Sequence, residues 1–390
     1  MPSSNLTEAK RAKNDEFYTQ YADIEKEINA YLEYDPDVFR GKTILLPCDD
    51  PEWSNFTKYF AQNFERLGLK KLISTSYAVE SKTYKGTYQP TLFETAAPYY
   101  DKAKTRINGK IFTLTHDKTG DHHANVDDLE WHYLEGDGDF RSAEIKALRD
   151  EADVIITNPP FSLFRQFLAW IMEADKKFVI IGNKNCVTLK EVFPLFMENK
   201  MWSGRTEWSG GMWFETKDPS DVDKVIDGVN MKNVASVWFS NIDHGRRHEH
   251  IPLMTMADNL KYSKHKEIKG KKSYDYYDNY NAIEVPYTDS IPSDYDGMMG
   301  VPITFLDKYS PEQFEIVGIT KTWFGAAMKI YPPQIQVSSN GKKSNVTKLN
   351  DGATLKLDTP PHGQTHYMID NEYFTQLYAR VLIKHRKEKK

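Results

Sequence analysis

The stretch DVIITNPPFSLF, residues 153–164, holds side chains whose types and order could carry a group transfer. Val154 to Thr157 are apolar or β-branched and read as a buried strand, which runs straight into Asn158, Pro159, Pro160 and Phe161. Each proline fixes its own φ and removes a backbone donor, and the residue before each proline is pushed out of the helical region. The turn is therefore stiff. It offers carbonyl acceptors, the side-chain oxygen of Asn158 and the flat ring of Phe161, with no nucleophile and no strong base. Such a notch suits a planar substrate bearing an NH2 group, such as the exocyclic amine of adenine. Two acceptors holding both amine hydrogens draw the nitrogen lone pair out of conjugation, and it can then attack an electrophilic methyl group in line. Positioning and electrostatics carry that step, and the proton is lost to water afterward. The plainer reading is a proline-terminated strand with Asn158 in the turn and Phe161 in the core.

The elements that must position this notch recur along the first half of the chain. Strand candidates are TILLP (43–47), KLISTS (71–76), WHYLEG (131–136), DVIIT (153–157) and KFVIIG (177–182). Between them, residues 54–68 carry apolar side chains at helical spacing and end at Gly68, a plausible C-cap; residues 162–174 read as a second helix. Strands apolar throughout, alternating with amphipathic helices, imply a mostly parallel, doubly wound α/β sheet. Ligands of such sheets lie outside the carboxyl ends of the strands, so chemistry is expected in the loops after residues 47, 76, 136, 157 and 182. Beyond about residue 205 the texture changes, with GGMWFET (210–216) and VASVWFS (234–240) reading as antiparallel strands. The expected division is a catalytic domain over 1–245 and a second domain over 246–390.

The chain has 390 residues, enough for two domains, with a net charge of −5 that makes a polycation of the whole molecule impossible. Binding to nucleic acid would then rest on a local basic footprint. Only two cysteines, Cys48 and Cys186, are present, which speaks against a disulfide framework or thiolate metal site and fits a reducing cytoplasm. No stretch approaches the roughly 18 apolar residues of a membrane span. The expectation is a cytoplasmic protein without a membrane partner.

NPPF after a strand resembles the catalytic signature of amino-group methyltransferases that use S-adenosylmethionine. KNDEFYTQYADIEKEI (13–28), LPCDDPEWSNF, GDGDF and NPPFSLF, followed by GGMWF, VWFSNIDHGRR and MGVPITFLDKYSPEQFEIVG, resemble the EcoRI-type adenine-specific DNA methyltransferases in order and wording over almost the whole chain. The resemblance implies a Rossmann-like methyltransferase fold with a C-terminal target-recognition domain, S-adenosylmethionine as cofactor and double-stranded DNA as partner. It implies transfer to the N6 amine of a flipped-out adenine, with Asn158, Pro159, Pro160 and Phe161 as the catalytic set. Cofactor contacts are implied for Phe17, Tyr18 and Thr19, for Pro47, Asp49 and Asp50, for Asn158, and for Asp139 with Phe140, whose ring would pack on the cofactor's adenine. Asp137 is the alternative to Asp139, and Asp50 before Pro51 could equally be a helix N-cap. The loop after the first strand departs from the usual pattern in having no glycine.

Arg246 and Arg247 read as phosphate contacts. The run KYSKHKEIKGKK supplies Lys261, Lys264, Lys266, Lys269, Lys271 and Lys272 as a basic footprint, although charge runs are often merely solvated; the tail KHRKEKK (384–390) is the next. Tyrosines 274, 276, 277 and 280 could stack near bases or fill a core. His244, His248 and His250 suggest no metal, since the transfer needs none and two arginines stand among them. The rivals are methylation of cytosine N4 or of a protein glutamine, and a non-catalytic DNA-binding copy of the fold. A cognate restriction endonuclease is one partner such an enzyme could have, and action as a monomer is preferred.

Overall fold

The tetrapeptides TILL and VIIT are buried at every position, as strands covered on both faces must be. The computed structural model describes residues 18–386 apart from 48, 51–53, 79–94, 96, 99, 119–123 and 217–218. Its main sheet contains β1 (Thr43–Leu46), β2 (Lys71–Ser76), β3 (Lys110–Leu114), β4 (Glu130–Tyr133), β5 (Val154–Thr157), β6 (Lys177–Asn183) and β7 (Ser236–Ser240). The order is β4-β3-β2-β1-β5-β6-β7, with the two-residue strand Trp202–Ser203 beyond β7. β1 lies parallel to β2 and to β5, and β5 parallel to β6. β3, β4 and β7 are antiparallel to their inner neighbours.

The α/β fold expected from the sequence is present, with a parallel centre and antiparallel flanks. Two details differ. The segment read as a third parallel strand, WHYLEG, is the edge strand β4, and it pairs with KIFTL of β3, whose alternating exposure hides it among polar neighbours. VASVWFS does not form one strand: Val229–Val234 joins a small antiparallel sheet, and Ser236–Ser240 joins the main one.

Helices α1 (Tyr21–Tyr34), α2 (Asn55–Gln62), α3 (Lys102–Ile107), α4 (Ala143–Glu151) and α5 (Phe164–Glu173) accompany the sheet. Ile44, Leu46, Ile156, Val179 and Ile181 share one core with Ile24, Ile28 and Tyr31 of α1 and Phe56, Tyr59 and Phe60 of α2. Gly182, on the alternate face of β6, meets the ring of Phe164 so closely that a Cβ would enter it, so α5 seats against that face. α2 stops at Gln62 rather than running to Gly68. Asn63 turns its amide back to donate to the Tyr59 carbonyl at 2.8 Å, a local bond that competes with helix continuation. Ser54 caps the start, its hydroxyl accepting from the Phe56 N–H at 3.1 Å. The small sheet sets Tyr18–Thr19 against Met212–Glu215, with Thr19 opposite Phe214.

The chain divides into two compact units. One runs to Lys184 and resumes over Ser203–Gly245; the other takes Asn185–Trp202 and everything from Arg246. A single cut after 245 therefore leaves 185–202 on the wrong side. The reason is packing within the second unit, where Phe193 sets its ring against Trp323 and Phe324 at 6.3 and 6.1 Å. The second unit carries a four-stranded sheet, in which Arg380–His385 lies between Met299–Pro302 and Phe314–Ile319, and a separate five-stranded antiparallel sheet.

Candidate active site

Adjacent parallel strands β1 and β5 end at the same edge of the sheet, with Leu45 opposite Ile155. The next residues out are therefore neighbours. The Thr157 hydroxyl donates to the Asp49 carboxylate at 2.6 Å and lies 3.1 Å from the Pro47 carbonyl. The other Asp49 oxygen accepts from the Ser54 hydroxyl at 2.7 Å. Its backbone carbonyl accepts from the Thr57 hydroxyl at 2.8 Å and from the Ser74 hydroxyl within β2. Asp49 is only 8 % exposed, and that burial pushes its carboxyl up to about 7, with the Thr157 and Ser54 hydroxyls pulling the other way.

Asn158 follows directly. Its amide donates to the Thr19 hydroxyl at 3.4 Å, and the Thr19 carbonyl accepts from the Asn55 amide at 2.8 Å. Pro159 is buried, while Pro160 and Phe161 are half-buried, with Phe161 against the core shared by α1 and α2. The Pro160 carbonyl is taken up by the Leu163 N–H at 2.9 Å, which opens the short turn leading into α5. The notch is thus held from three sides by the ends of β1 and β5 and by the Tyr18–Thr19 strand.

The residues around the loop at 136–140 divide. Gly138 sits at φ +89°, and a Cβ there would stand 2.5 Å from the Ser76 carbonyl at the end of β2. Only glycine allows this approach, and it carries the GDGDF turn to the edge where β2 ends. The Asp137 carbonyl accepts from the Ala78 N–H at 2.8 Å. The Asp139 carboxylate is gripped by Arg141, Nε to Oδ1 at 2.8 Å and Nη2 to Oδ2 at 2.5 Å. That guanidinium holds its carboxyl below the usual carboxylate range. Phe140 is 1 % exposed and packs against Phe167 and Trp170 of α5. This corrects the expectation of an open ring: the side chain after Asp139 points to the opposite side, into the core. Asp50 does not cap α2, because Ser54 does; the Asp50 carbonyl instead accepts from the Ser54 N–H at 2.7 Å. Phe17 and Cys48 lie outside the described residues.

In the second unit two expectations are overturned. Arg246 pairs with Asp307 at 2.9 Å, both side chains 8 % exposed. Arg247 is buried, bonds to Asn199 and stacks over Trp202 at 3.7 Å. Neither guanidinium is open to a phosphate, so both are corrected to structural roles. His248 pairs with Glu312 at 2.9 Å, and within the first unit His244 is buried against the Ser203 carbonyl. All six lysines of the run are exposed, though Lys264 pairs with Asp289 at 2.8 Å, Lys271 with Asp275 at 2.5 Å, and Lys261 lies over the Tyr262 ring. Tyr274, Tyr277 and Tyr280 are buried, and Tyr276 alone of the four is exposed.

The residues missed from sequence are the polar ones that hold the notch: Ser54, Asn55, Thr57, Ser74 and Thr157. A signal existed for Ser54, a serine immediately before an apolar-periodic segment. For Thr157 it was a hydroxyl closing an otherwise apolar strand.

A mixed sheet with a parallel centre, whose adjacent strand ends hold a buried Asp49 beside an Asn-Pro-Pro-Phe turn, defines a Rossmann-like methyltransferase. Comparison with known proteins narrows this. The profile of the family described as adenine-specific methyltransferase EcoRI matches residues 5–386, and the chain belongs to that family. It is 41 % identical over 329 residues to the Type II methyltransferase M.EcoRI of Escherichia coli, covering 81 % of this chain and 89 % of that protein. It is 32 % identical over 316 residues to the Type II methyltransferase M.MpnI of Mycoplasma pneumoniae, covering 79 % and 83 %. M.MgeORF184P of Mycoplasma genitalium is 32 % identical over 320 residues, covering 80 % and 85 %. No solved structure matches the chain. Among the described residues no helix is long and apolar enough to cross a membrane.

Proposed function

We propose that the chain methylates adenine at N6 in duplex DNA, with S-adenosylmethionine as donor and Asn158 at the centre of the transfer. The observation that carries the reading is the Asn158–Phe161 notch at the strand edge shared by β1 and β5. The amide nitrogen of Asn158 donates to Thr19, and in this reading its oxygen accepts from the substrate amine. The Pro160 carbonyl is committed to Leu163, so the Pro159 carbonyl is the second acceptor. Together they take both hydrogens of the exocyclic amine and direct its lone pair along one line. Phe161 gives the flipped base a face to rest on, as an enzyme acting on a base needs. The proton lost by the amine passes to water.

The residues fit such a cofactor. Gly138 lets backbone approach the end of β2 where a side chain could not stand, and in this reading Asp137, Asp50, Tyr18, Thr19 and Pro47 line the place of the cofactor. Of the two candidates for the cofactor's adenine amine this reading takes Asp137: both Asp139 oxygens are gripped by the Arg141 guanidinium, whereas the Asp137 Oδ1 accepts from the Asp139 N–H at 3.1 Å. S-adenosylmethionine, when bound, supplies an electrophilic methyl group on a sulfonium.

The unit of Asn185–Trp202 and Arg246 onward is the target-recognition module in this reading. Its DNA contact runs through the exposed lysines at 261–272, chiefly Lys266, Lys269 and Lys272, whose neighbours Lys264 and Lys271 already pair with acids. Replacing those three by glutamine should flatten the salt dependence of DNA binding by about 2–3 in log–log slope; an unchanged slope removes the run from the interface. The enzyme acts in the cytoplasm as a monomer, and a cognate endonuclease is its natural counterpart in a restriction–modification pair. The test of the function is tritiated methyl transfer from S-adenosylmethionine to mixed-sequence duplex, a cytosine-only polymer and total protein in parallel. Label is expected in adenine of the duplex alone, and label in the polymer or in protein would overturn the assignment.

A further inference from the structure

Asp49 and Asn158 sit in one closed circuit of bonds. From the Asp49 carboxylate the path runs through the Ser54 hydroxyl at 2.7 Å, along the chain to Asn55, and from its amide to the Thr19 carbonyl at 2.8 Å. It returns from the Thr19 hydroxyl to the Asn158 amide at 3.4 Å, back one residue to Thr157, and from that hydroxyl to the second Asp49 oxygen at 2.6 Å. Each carboxylate oxygen therefore already accepts from a hydroxyl within the protein. The backbone of Asp49 is fixed as well, by Thr57 and Ser74. A ring of this kind defines the position of every member, because moving one lengthens bonds elsewhere in buried surroundings where an unmade bond is costly.

We infer that Asp49, acting through Thr157, is a positioning residue for Asn158 and not a ligand of the cofactor's methionine end. This rests on the reading that Asn158 receives the target amine. The Thr157 hydroxyl ties the last residue of β5 to the loop after β1, so the amide one residue further is presented at a fixed height above the sheet edge. The burial of Asp49, which raises its carboxyl to about 7, agrees with a structural grip on hydroxyls better than with a partner for an ammonium group.

The test uses the full-length enzyme with Thr157→Val, Thr157→Ser, Asp49→Asn and Asn158→Ala side by side. The readouts are kcat at saturating DNA and cofactor, and the dissociation constant for S-adenosylmethionine. Thr157→Val is expected to lower kcat at least about tenfold, the scale on which misplacing a reacting group acts, with cofactor affinity within about threefold. Thr157→Ser, which restores the hydroxyl, should recover most of kcat. Asp49→Asn can keep the bridge with its polarity reversed, its amide donating to the Thr157 oxygen, so cofactor affinity should again hold within about threefold. A tenfold or greater loss of affinity in Asp49→Asn would return Asp49 to the cofactor and overturn the inference, and that measurement stands even where Thr157→Val fails to fold. If Asn158→Ala is inactive while Thr157→Val keeps full kcat, the inference fails and the function assigned to Asn158 stands. If Asn158→Ala keeps turning over, the functional reading itself is at fault.

Discussion

Asn158→Ala should reduce the rate of methyl transfer by about 10²–10³-fold or more, the loss that follows when one preorganised partner of the reacting group is removed, while the cofactor still binds. Half of the grip on the amine disappears, and the lone pair is no longer drawn out of the ring. Asn158→Asp is the informative companion. An ionised carboxylate is acceptor-only, and the Thr19 hydroxyl can turn to donate to it, so one oxygen still faces the amine. This variant should retain more activity than the alanine. Single-turnover rates at saturating cofactor and DNA separate the two, and equal rates for alanine and asparagine at position 158 would remove the amide from the mechanism.

The largest effect on stability is expected in the second unit. Glu284 is 5 % exposed and accepts from Arg380, Nη2 to Oε1 at 2.8 Å and Nε to both oxygens at 3.1 Å, and from the Tyr277 hydroxyl. Burial and the charge of Glu284 push the Tyr277 hydroxyl far above its ordinary value, so it stays a donor at any working pH. Glu284→Ala strands the Arg380 guanidinium without its counter-charge, which costs about 3–5 kcal/mol in comparable sites. Urea unfolding should show this as a large fall in midpoint. Replacing both residues, Glu284→Ala with Arg380→Met, should cost less than Glu284→Ala alone, because no charge is then left buried and unpaired. A double variant weaker than the single one would mean that the pair contributes by packing instead.

The parallel centre of the fold was readable because β1, β5 and the middle of β6 are buried runs of apolar and β-branched residues, as strands covered on both faces are. β3 was not readable: KIFTL alternates, sits among polar residues, and takes its place from pairing with β2 rather than from its own composition. At the site, Asn158-Pro159-Pro160-Phe161 could be found because prolines impose their geometry locally. Phe140 could not be oriented, since which way a side chain points from a loop depends on helix α5, which follows some 25 residues later. Arg246 and Arg247 looked like phosphate contacts for the same reason. Nothing near them in sequence announces Asp307, which buries the first, or Asn199 and Trp202, which bury the second. Polar residues that act through distant partners are where a linear reading stops.

The path of the polypeptide has a practical consequence for anyone who wishes to exchange modules among relatives. It passes from one unit to the other after Lys184, returns after Trp202, and leaves again after Gly245. A graft confined to the carboxyl-terminal portion would import Trp323 and Phe324 without the Phe193 they pack against. A chimaera that carries both segments across together keeps that aromatic cluster from a single parent.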